Sequence, residues 1–123
     1  MGKVIIQHVD DAPFHRGERK GSGPITRASQ LIGDNGDGPW IFVQSIEAGV
    51  VAPAHSHTQN EVIYIIDGWV TVGRKRLGPG SVLYVEKDTP YRFTVGEEGV
   101  RFLNVRPGPS VMVVAGAVRQ EYP

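Results

Sequence analysis

Short apolar runs separated by glycine and proline dominate the chain. No segment keeps a helical spacing of apolar residues for three turns, and the runs instead have the length of β-strands. Turn-forming clusters at residues 33–38, 67–68, 78–80, 96–99 and 107–109 separate these runs. The pattern predicts strands at residues 24–31, 40–47, 54–57, 61–66, 69–72, 81–85, 91–95, 100–106 and 111–114. Many short strands at regular spacing favour an all-β sandwich or barrel.

Length and composition indicate one ordinary domain. The chain has 123 residues with 13 basic and 13 acidic side chains, so no net charge directs it to nucleic acid or to an anionic membrane. It has no cysteine, which excludes disulfides and thiol nucleophiles. We predict an irregular arm at residues 1–23, a barrel at 24–115 and a tail at 116–123. No export signal is recognisable, so a cytoplasmic location is expected.

One segment carries the clearest chemistry. Between Gly49 and Gly68 two histidines, His55 and His57, stand two residues apart, and Glu61 follows four residues later. Side chains two apart on a strand leave the same face, so both imidazoles can converge, and Glu61 can add a carboxylate from the next strand. Two histidines and one carboxylate are a ligand set that leaves coordination positions open. The segment therefore predicts a metal site.

The spacing Gly-x5-His-x-His-x3-Glu-x6-Gly resembles the first sequence motif of the cupin superfamily, and the resemblance extends over about residues 40–107. It implies a cupin double-stranded β-helix, a jelly-roll barrel, with one divalent transition metal ion. Open sites beside two imidazoles and a carboxylate suit iron or manganese, and nickel is also expected; zinc, copper and cobalt stay open. A cupin that keeps the motif without binding metal is the alternative.

The second cupin motif departs from its usual form. In the stretch from Gly80 to Phe93, Tyr91 occupies the position of the histidine that supplies the fourth ligand in the family. Three roles for Tyr91 are open. It could bind the metal as a phenolate, donate a hydrogen bond or proton to substrate as a catalytic residue, or fill space with its hydroxyl on a backbone partner.

Alternation along the strands predicts which side chains line the barrel. If the two histidines face inward, Ile63 and Ile65 share a face with Glu61, and Phe93 shares one with Tyr91. Gln44 and Arg101 are further candidates for the pocket lining, although a shift of one residue in register would turn either outward.

Three functions are compatible with this site, and the fold does not choose among them. The first is a metal-dependent dioxygenase acting on a small organic substrate. The second is a metal-dependent isomerase, cyclase or lyase that needs no oxygen, and the third is a cupin that binds or senses a small molecule without chemistry.

The run from Val62 to Ile66 is apolar at every position, so its outer face should be covered by a second sheet layer or a partner subunit. Because small cupins commonly dimerise through such a surface, a homodimer is expected.

Overall fold

The computed structural model describes residues 2–17, 26–33, 38–114 and 117–119. Within these ranges the chain forms one short 3-10 helix at Val9–Asp11 and otherwise β-strands, and no helix among them is long and apolar enough to cross a membrane. The predicted all-β class is thus confirmed. The strands are β1 (Phe14–Gly17), β2 (Thr26–Ile32), β3 (Trp40–Ile46), β4 (Val51–His57), β5 (Glu61–Val72), β6 (Lys75–Leu77), β7 (Val82–Val85), β8 (Tyr91–Arg106), β9 (Met112–Val114) and β10 (Ala117–Arg119).

Strand β8 organises the sheet. All pairings are antiparallel, and the main order is β1-β2-β3-β8-β4-β9-β10, with β5 attached to β8 and also paired with β6 and β7. The carboxyl half of β8 pairs with β3, from Ile46 opposite Val100 to Trp40 opposite Arg106. Its amino half pairs with β4, where Tyr91 stands opposite His55. One long strand therefore brings β3, β4 and β5 to a common interior.

Two predicted strand pairs are single long strands. Residues 61–66 and 69–72 form β5, and residues 91–95 and 100–106 form β8. The predicted turns at residues 67–68 and 96–99 are therefore wrong. Gly68 has φ +73°, and a Cβ there would lie 2.0 Å from the carbonyl oxygen of Gly99. The pairing of β5 with β8 shifts register on both sides of Gly68, so this glycine marks an irregular, closely packed stretch of a continuous strand rather than a reversal.

Four smaller elements lie where none was predicted. Strand β6 includes two residues of the basic run 74–76, and β1 and the 3-10 helix lie in the arm expected to be irregular. Strand β10 lies in the expected tail. Parts of the arm, of the turn at 33–38 and of the tail fall outside the described residues. The domain boundaries stay predictions.

The interior changes character along β8. Val100 and Phe102 belong to the apolar cluster, whereas Asn104 and Arg106, the next two inward positions on the same face, are buried polar residues. The barrel thus has an apolar end and a polar end. The cluster at the apolar end contains Ile46, Ala52, Ile63, Ile65, Val70, Phe93, Val95, Val100 and Phe102.

An apolar patch remains exposed on the outside of β5 and β7. Tyr64 stands opposite Val82 and Val62 opposite Tyr84 in the pairing of these strands. Tyr64 is 43% exposed and Tyr84 is 56% exposed, and Ile66 on the same strand is also exposed. The uniformly apolar run therefore has a buried inner face, as alternation requires, and an outer face that stays open in the single chain.

Candidate functional site

Both predicted histidines lie at the polar end of the interior. The extended backbone of β4 places His55 and His57 on one face, and they are 5% and 6% exposed, with ring centroids 5.1 Å apart. The Nδ1 atom of His55 lies 2.7 Å from the carbonyl oxygen of Pro53. This contact assigns the proton of His55 to Nδ1 and leaves Nε2 as the accepting nitrogen of the ring.

Glu61 lies at the centre of a closed hydrogen-bond network. It is 1% exposed, and its Oε2 atom accepts from Nε of Arg106 at 3.1 Å, from Nη2 of Arg106 at 3.0 Å and from Nδ2 of Asn104 at 3.1 Å. The Oε1 atom accepts from the hydroxyl of Tyr91. Nε2 of His57 lies 3.7 Å from Oε2, beyond hydrogen-bond distance. Arginine, asparagine and tyrosine thus supply the partners of this carboxylate.

The charges in the network follow from burial and from one cation. Burial raises the pKa of Glu61, but Arg106, His57 and the hydrogen bonds from Tyr91 and Asn104 together hold the pKa below its usual value. Burial, assisted by the charge of Arg106, lowers the pKa of His57 to about 4, although Glu61 opposes this shift. At neutral pH the network therefore contains a carboxylate, a guanidinium and a neutral imidazole.

The hydroxyl of Tyr91 is a hydrogen-bond donor in this arrangement. Burial, reinforced by the neighbouring charge of Glu61 and the hydrogen bond to it, raises the pKa of Tyr91 well above its usual value. The ring lies beside that of His55, with centroids 4.6 Å apart. The hydroxyl donates to Glu61, and which of the three roles Tyr91 has stays a prediction.

The complete predicted ligand set does not fit a resident divalent cation. Among the described residues, no group of three or more histidine, aspartate or glutamate side chains is arranged to hold a metal ion. The physical reason is Arg106, which is 2% exposed and already neutralises Glu61. A divalent cation on the same carboxylate would face this buried positive charge at short range in a medium of low dielectric constant.

Four of the predicted lining residues lie inside the barrel. Ile63, Ile65 and Phe93 belong to the apolar cluster, and Gln44 is a buried residue between the inward-facing Phe42 and Ile46. The ring of Phe93 lies 6.4 Å from that of His55, between centroids, so apolar surface adjoins the polar network. Their role as the lining of a ligand site stays a prediction.

The predicted inward orientation of Arg101 is wrong. Alternation along β8 buries the neighbouring residues Val100 and Phe102 and turns Arg101 to the other face. There it stands opposite Ser45 on β3 and Asp67 on β5, and it lines an outer groove of about 570 Å³. This is the error of one residue in register that the sequence left open.

Sequence reasoning missed the two residues that hold Glu61. Asn104 and Arg106 lie in the predicted strand 100–106, and alternation inward from Phe102 would have placed both on the inner face. An asparagine and an arginine at inward positions of a core strand are rare unless they are paired. Two polar residues at inward positions were therefore a signal of a buried polar site. Their partner, Glu61, could not be identified without the strand pairing.

The titrating side chains of the network have pKa values displaced from neutral pH. An efficient general acid or base has a pKa near the operating pH. His57 titrates far below neutrality and Tyr91 far above it, and Glu61 is stabilised as a carboxylate. Hydrogen-bonded polar side chains and apolar side chains therefore meet at this end of the interior.

Comparisons with known proteins relate the chain to one family and one fold. The family model described as "Cupin domain" matches residues 42–106. No curated protein sequence matches the chain significantly. An RmlC-like cupin protein from Ralstonia eutropha superposes with a TM-score of 0.71 at 17% identity, covering 97% of this chain and 80% of that chain.

Two enzymes of solved structure share the fold. The polyketide cyclase RemF from Streptomyces resistomycificus has a TM-score of 0.64 at 22% identity, covering 100% of this chain and 87% of that chain. Oxalate decarboxylase from Bacillus subtilis has a TM-score of 0.61 at 22% identity; the match covers 88% of this chain but only 30% of the enzyme. At these identities the likeness shows the fold alone.

Proposed function

Because the chain belongs to the cupin family, whose domain model matches residues 42–106, we propose that it binds a small organic molecule at the polar end of its barrel without a resident metal ion. One observation carries this proposal: the buried guanidinium of Arg106 is bound to the carboxylate that would otherwise be a metal ligand. The charges of Glu61 and Arg106 balance each other within the network, and its titrating groups have pKa values displaced from neutral pH. A binding or sensing cupin matches this chemistry better than an oxygen-activating one.

Metal content tests the proposal directly. Untagged protein from cells grown with added iron, manganese, nickel and zinc is measured by mass spectrometry, beside a His55→Ala/His57→Ala variant. We expect much less than one metal ion per chain in both proteins. Near-stoichiometric metal that is lost in the double variant would refute the proposal, because it would show that the two imidazoles hold a cation despite Arg106.

The metal-dependent dioxygenase is the second candidate. It is favoured by the contact between Nδ1 of His55 and the carbonyl oxygen of Pro53. Metal-binding imidazoles commonly donate their other ring N–H to an acceptor such as a backbone carbonyl, which fixes the ring. Oxygen uptake by metal-loaded protein with enols or catechols would support this candidate. Turnover that persists without oxygen would instead support the isomerase, cyclase or lyase.

We also propose that the chain forms a homodimer through the outer face of β5 and β7. The support is the apolar patch made by Val62, Tyr64, Ile66, Val82 and Tyr84, which is continuous across two paired strands. Light scattering after size exclusion at micromolar concentration should give twice the chain mass, and Tyr84→Glu should shift the protein to monomer. A wild-type monomer would contradict the proposal.

A further inference from the structure

Side chains from four strands line the outer groove that Arg101 faces. In the strand pairing Arg27 on β2 stands opposite Ser45 on β3, and Ser45 stands opposite Arg101 on β8. Arg101 in turn stands opposite Asp67 on β5. All four line the groove of about 570 Å³, and a second volume of about 320 Å³, lined also by Asp10, opens onto Arg27, Ser45 and Arg101. These side chains therefore face open space on the outside of the sheet, away from the barrel interior.

The centre of the groove is basic. Neighbouring strands lie about 4.8 Å apart, so Arg27 and Arg101 flank Ser45 with their Cα atoms about 10 Å apart, within reach of two long side chains. Arg101 is partly buried, and none of the ion pairs formed among the described residues includes it, although Asp67 stands opposite. Guanidinium groups present planar sets of N–H donors that match a carboxylate, and the Ser45 hydroxyl adds a donor between them. The centre therefore suits a carboxylate group.

One end of the groove is acidic. Its lining there includes Glu47, Asp67 and Glu98. The backbone of these residues converges at Gly99: a Cβ there would lie 4.0 Å from the carbonyl carbon of Glu47, and a Cβ at Gly68, the neighbour of Asp67, would lie 2.0 Å from the carbonyl oxygen of Gly99. Carboxylates gathered in a small region create a negative potential that attracts a cation. This end therefore suits an ammonium group.

The two regions together decide the class of ligand. A simple anion would bind the arginines but face the carboxylates of the acidic end, and a simple cation would bind those carboxylates but face the arginines. A zwitterion places an opposite charge at each region. Ser45 and Glu47 are two residues apart, about 7 Å along an extended chain, so several carbon atoms separate the two charges of a fitting molecule.

We propose that the outer groove binds a small amino acid whose carboxylate and ammonium groups are several carbon atoms apart. The carboxylate accepts from Arg27, Arg101 and the Ser45 hydroxyl, and the ammonium group donates to the carboxylates of the acidic end. The groove lies outside the barrel, so this site depends neither on the proposed function nor on the metal content of the interior.

Three probes with the same four-carbon chain test the proposal. Protein labelled with ¹⁵N is titrated at pH 7 and low ionic strength with 4-aminobutyrate, with butyrate, which lacks the ammonium group, and with n-butylamine, which lacks the carboxylate. We expect 4-aminobutyrate to shift the backbone amide resonances of Ser45, Asp67 and Arg101. Its affinity should exceed that of each singly charged probe by about threefold or more, from one added ion pair near the surface.

Two variants separate the two ends of the ligand. Arg101→Gln should weaken binding of 4-aminobutyrate and of butyrate by about threefold or more, without weakening that of n-butylamine. Asp67→Asn should weaken binding of 4-aminobutyrate and of n-butylamine, without weakening that of butyrate. Arg92→Gln, at an exposed position of β8 that does not line the groove, is the matched control and should leave all three affinities unchanged. Butyrate or n-butylamine binding as tightly as 4-aminobutyrate, wild-type affinity in Arg101→Gln, or no shift of these amides with any probe would overturn the inference.

Discussion

Removal of the Arg106 guanidinium should strongly destabilise the protein. Arg106→Met keeps a long apolar side chain but leaves the carboxylate of Glu61 buried, with 1% exposure, and without its cation. Breaking a buried ion pair from one side typically costs about 3–5 kcal/mol. We expect a loss of this size at neutral pH, because two of the four donated bonds on Glu61 come from Arg106.

The assay is urea unfolding of metal-free protein at one fixed concentration, since association would change the midpoint. Arg101→Met on the same strand is the matched control, because Arg101 faces the outer groove and its removal should cost less than about 0.5 kcal/mol. The double variant Glu61→Gln/Arg106→Met removes both charges. It should therefore be more stable than Arg106→Met, with a coupling of about 2 kcal/mol or more.

The same variant tests the argument about the metal. In Arg106→Met the carboxylate and two imidazoles no longer compete with a fixed cation, so binding of Zn²⁺ or Mn²⁺ should become at least about tenfold tighter, which corresponds to about 1.4 kcal/mol. Isothermal titration calorimetry measures this on wild type and variant. Equal affinities, or a stability loss below about 1 kcal/mol in Arg106→Met, would refute the view that the guanidinium replaces the metal.

Three further predictions follow from the described contacts. The pKa values of His57 and Glu61 are lower in the folded than in the unfolded chain, so the unfolded chain binds more protons in acid and the free energy of unfolding should fall as the pH drops below 6.5, with about 3 kcal/mol lost to His57 alone by pH 4. His57→Gln should flatten the plot of unfolding free energy against pH between pH 7 and 4, and an unchanged slope would contradict the assignment. Tyr91→Phe leaves one oxygen of Glu61 without its donor and should cost about 1–3 kcal/mol by the same assay; a loss of a few tenths would show that the bond is dispensable. Gly68→Ala forces a Cβ into neighbouring backbone, whereas the Cβ of Gly73→Ala meets nothing within 4 Å at a similar φ. The melting temperature of Gly68→Ala should therefore lie well below that of Gly73→Ala, and equal melting temperatures would exclude the clash.

The sequence predicted the elements of the fold better than their connections. Apolar runs and turn clusters located β3 to within a residue, because local patterns decide where an extended strand can form. The residues at 67–68 resembled a hairpin turn, but Gly68 is needed for close approach to another strand, which is a long-range packing requirement. Local composition cannot distinguish a reversal from an irregularity in a continuous strand.

The site was predictable only where it depends on residues close in sequence. The two histidines and Glu61 stand close in sequence, so spacing alone placed them together. The partner of Glu61 in the ion pair, Arg106, is 45 residues away, and only the pairing of β5 with β8 brings it to the carboxylate. The ligand set was therefore visible in the sequence, whereas the cation bound to it was not.

A guanidinium and a metal ion are not equivalent cations in such a barrel. Both can neutralise the same buried carboxylate, but a metal with three or four protein ligands keeps open positions for oxygen or substrate. A guanidinium has no accepting orbital, and after its bonds to Glu61 it offers the remaining N–H groups of a rigid plane. In the part of the chain that the structure describes, one such group, Nη1, is buried and has no hydrogen-bond partner. Under the proposed function, in which Arg106 takes the place of a metal ion, the available chemistry changes from activating a bound molecule to recognising one by hydrogen bonds.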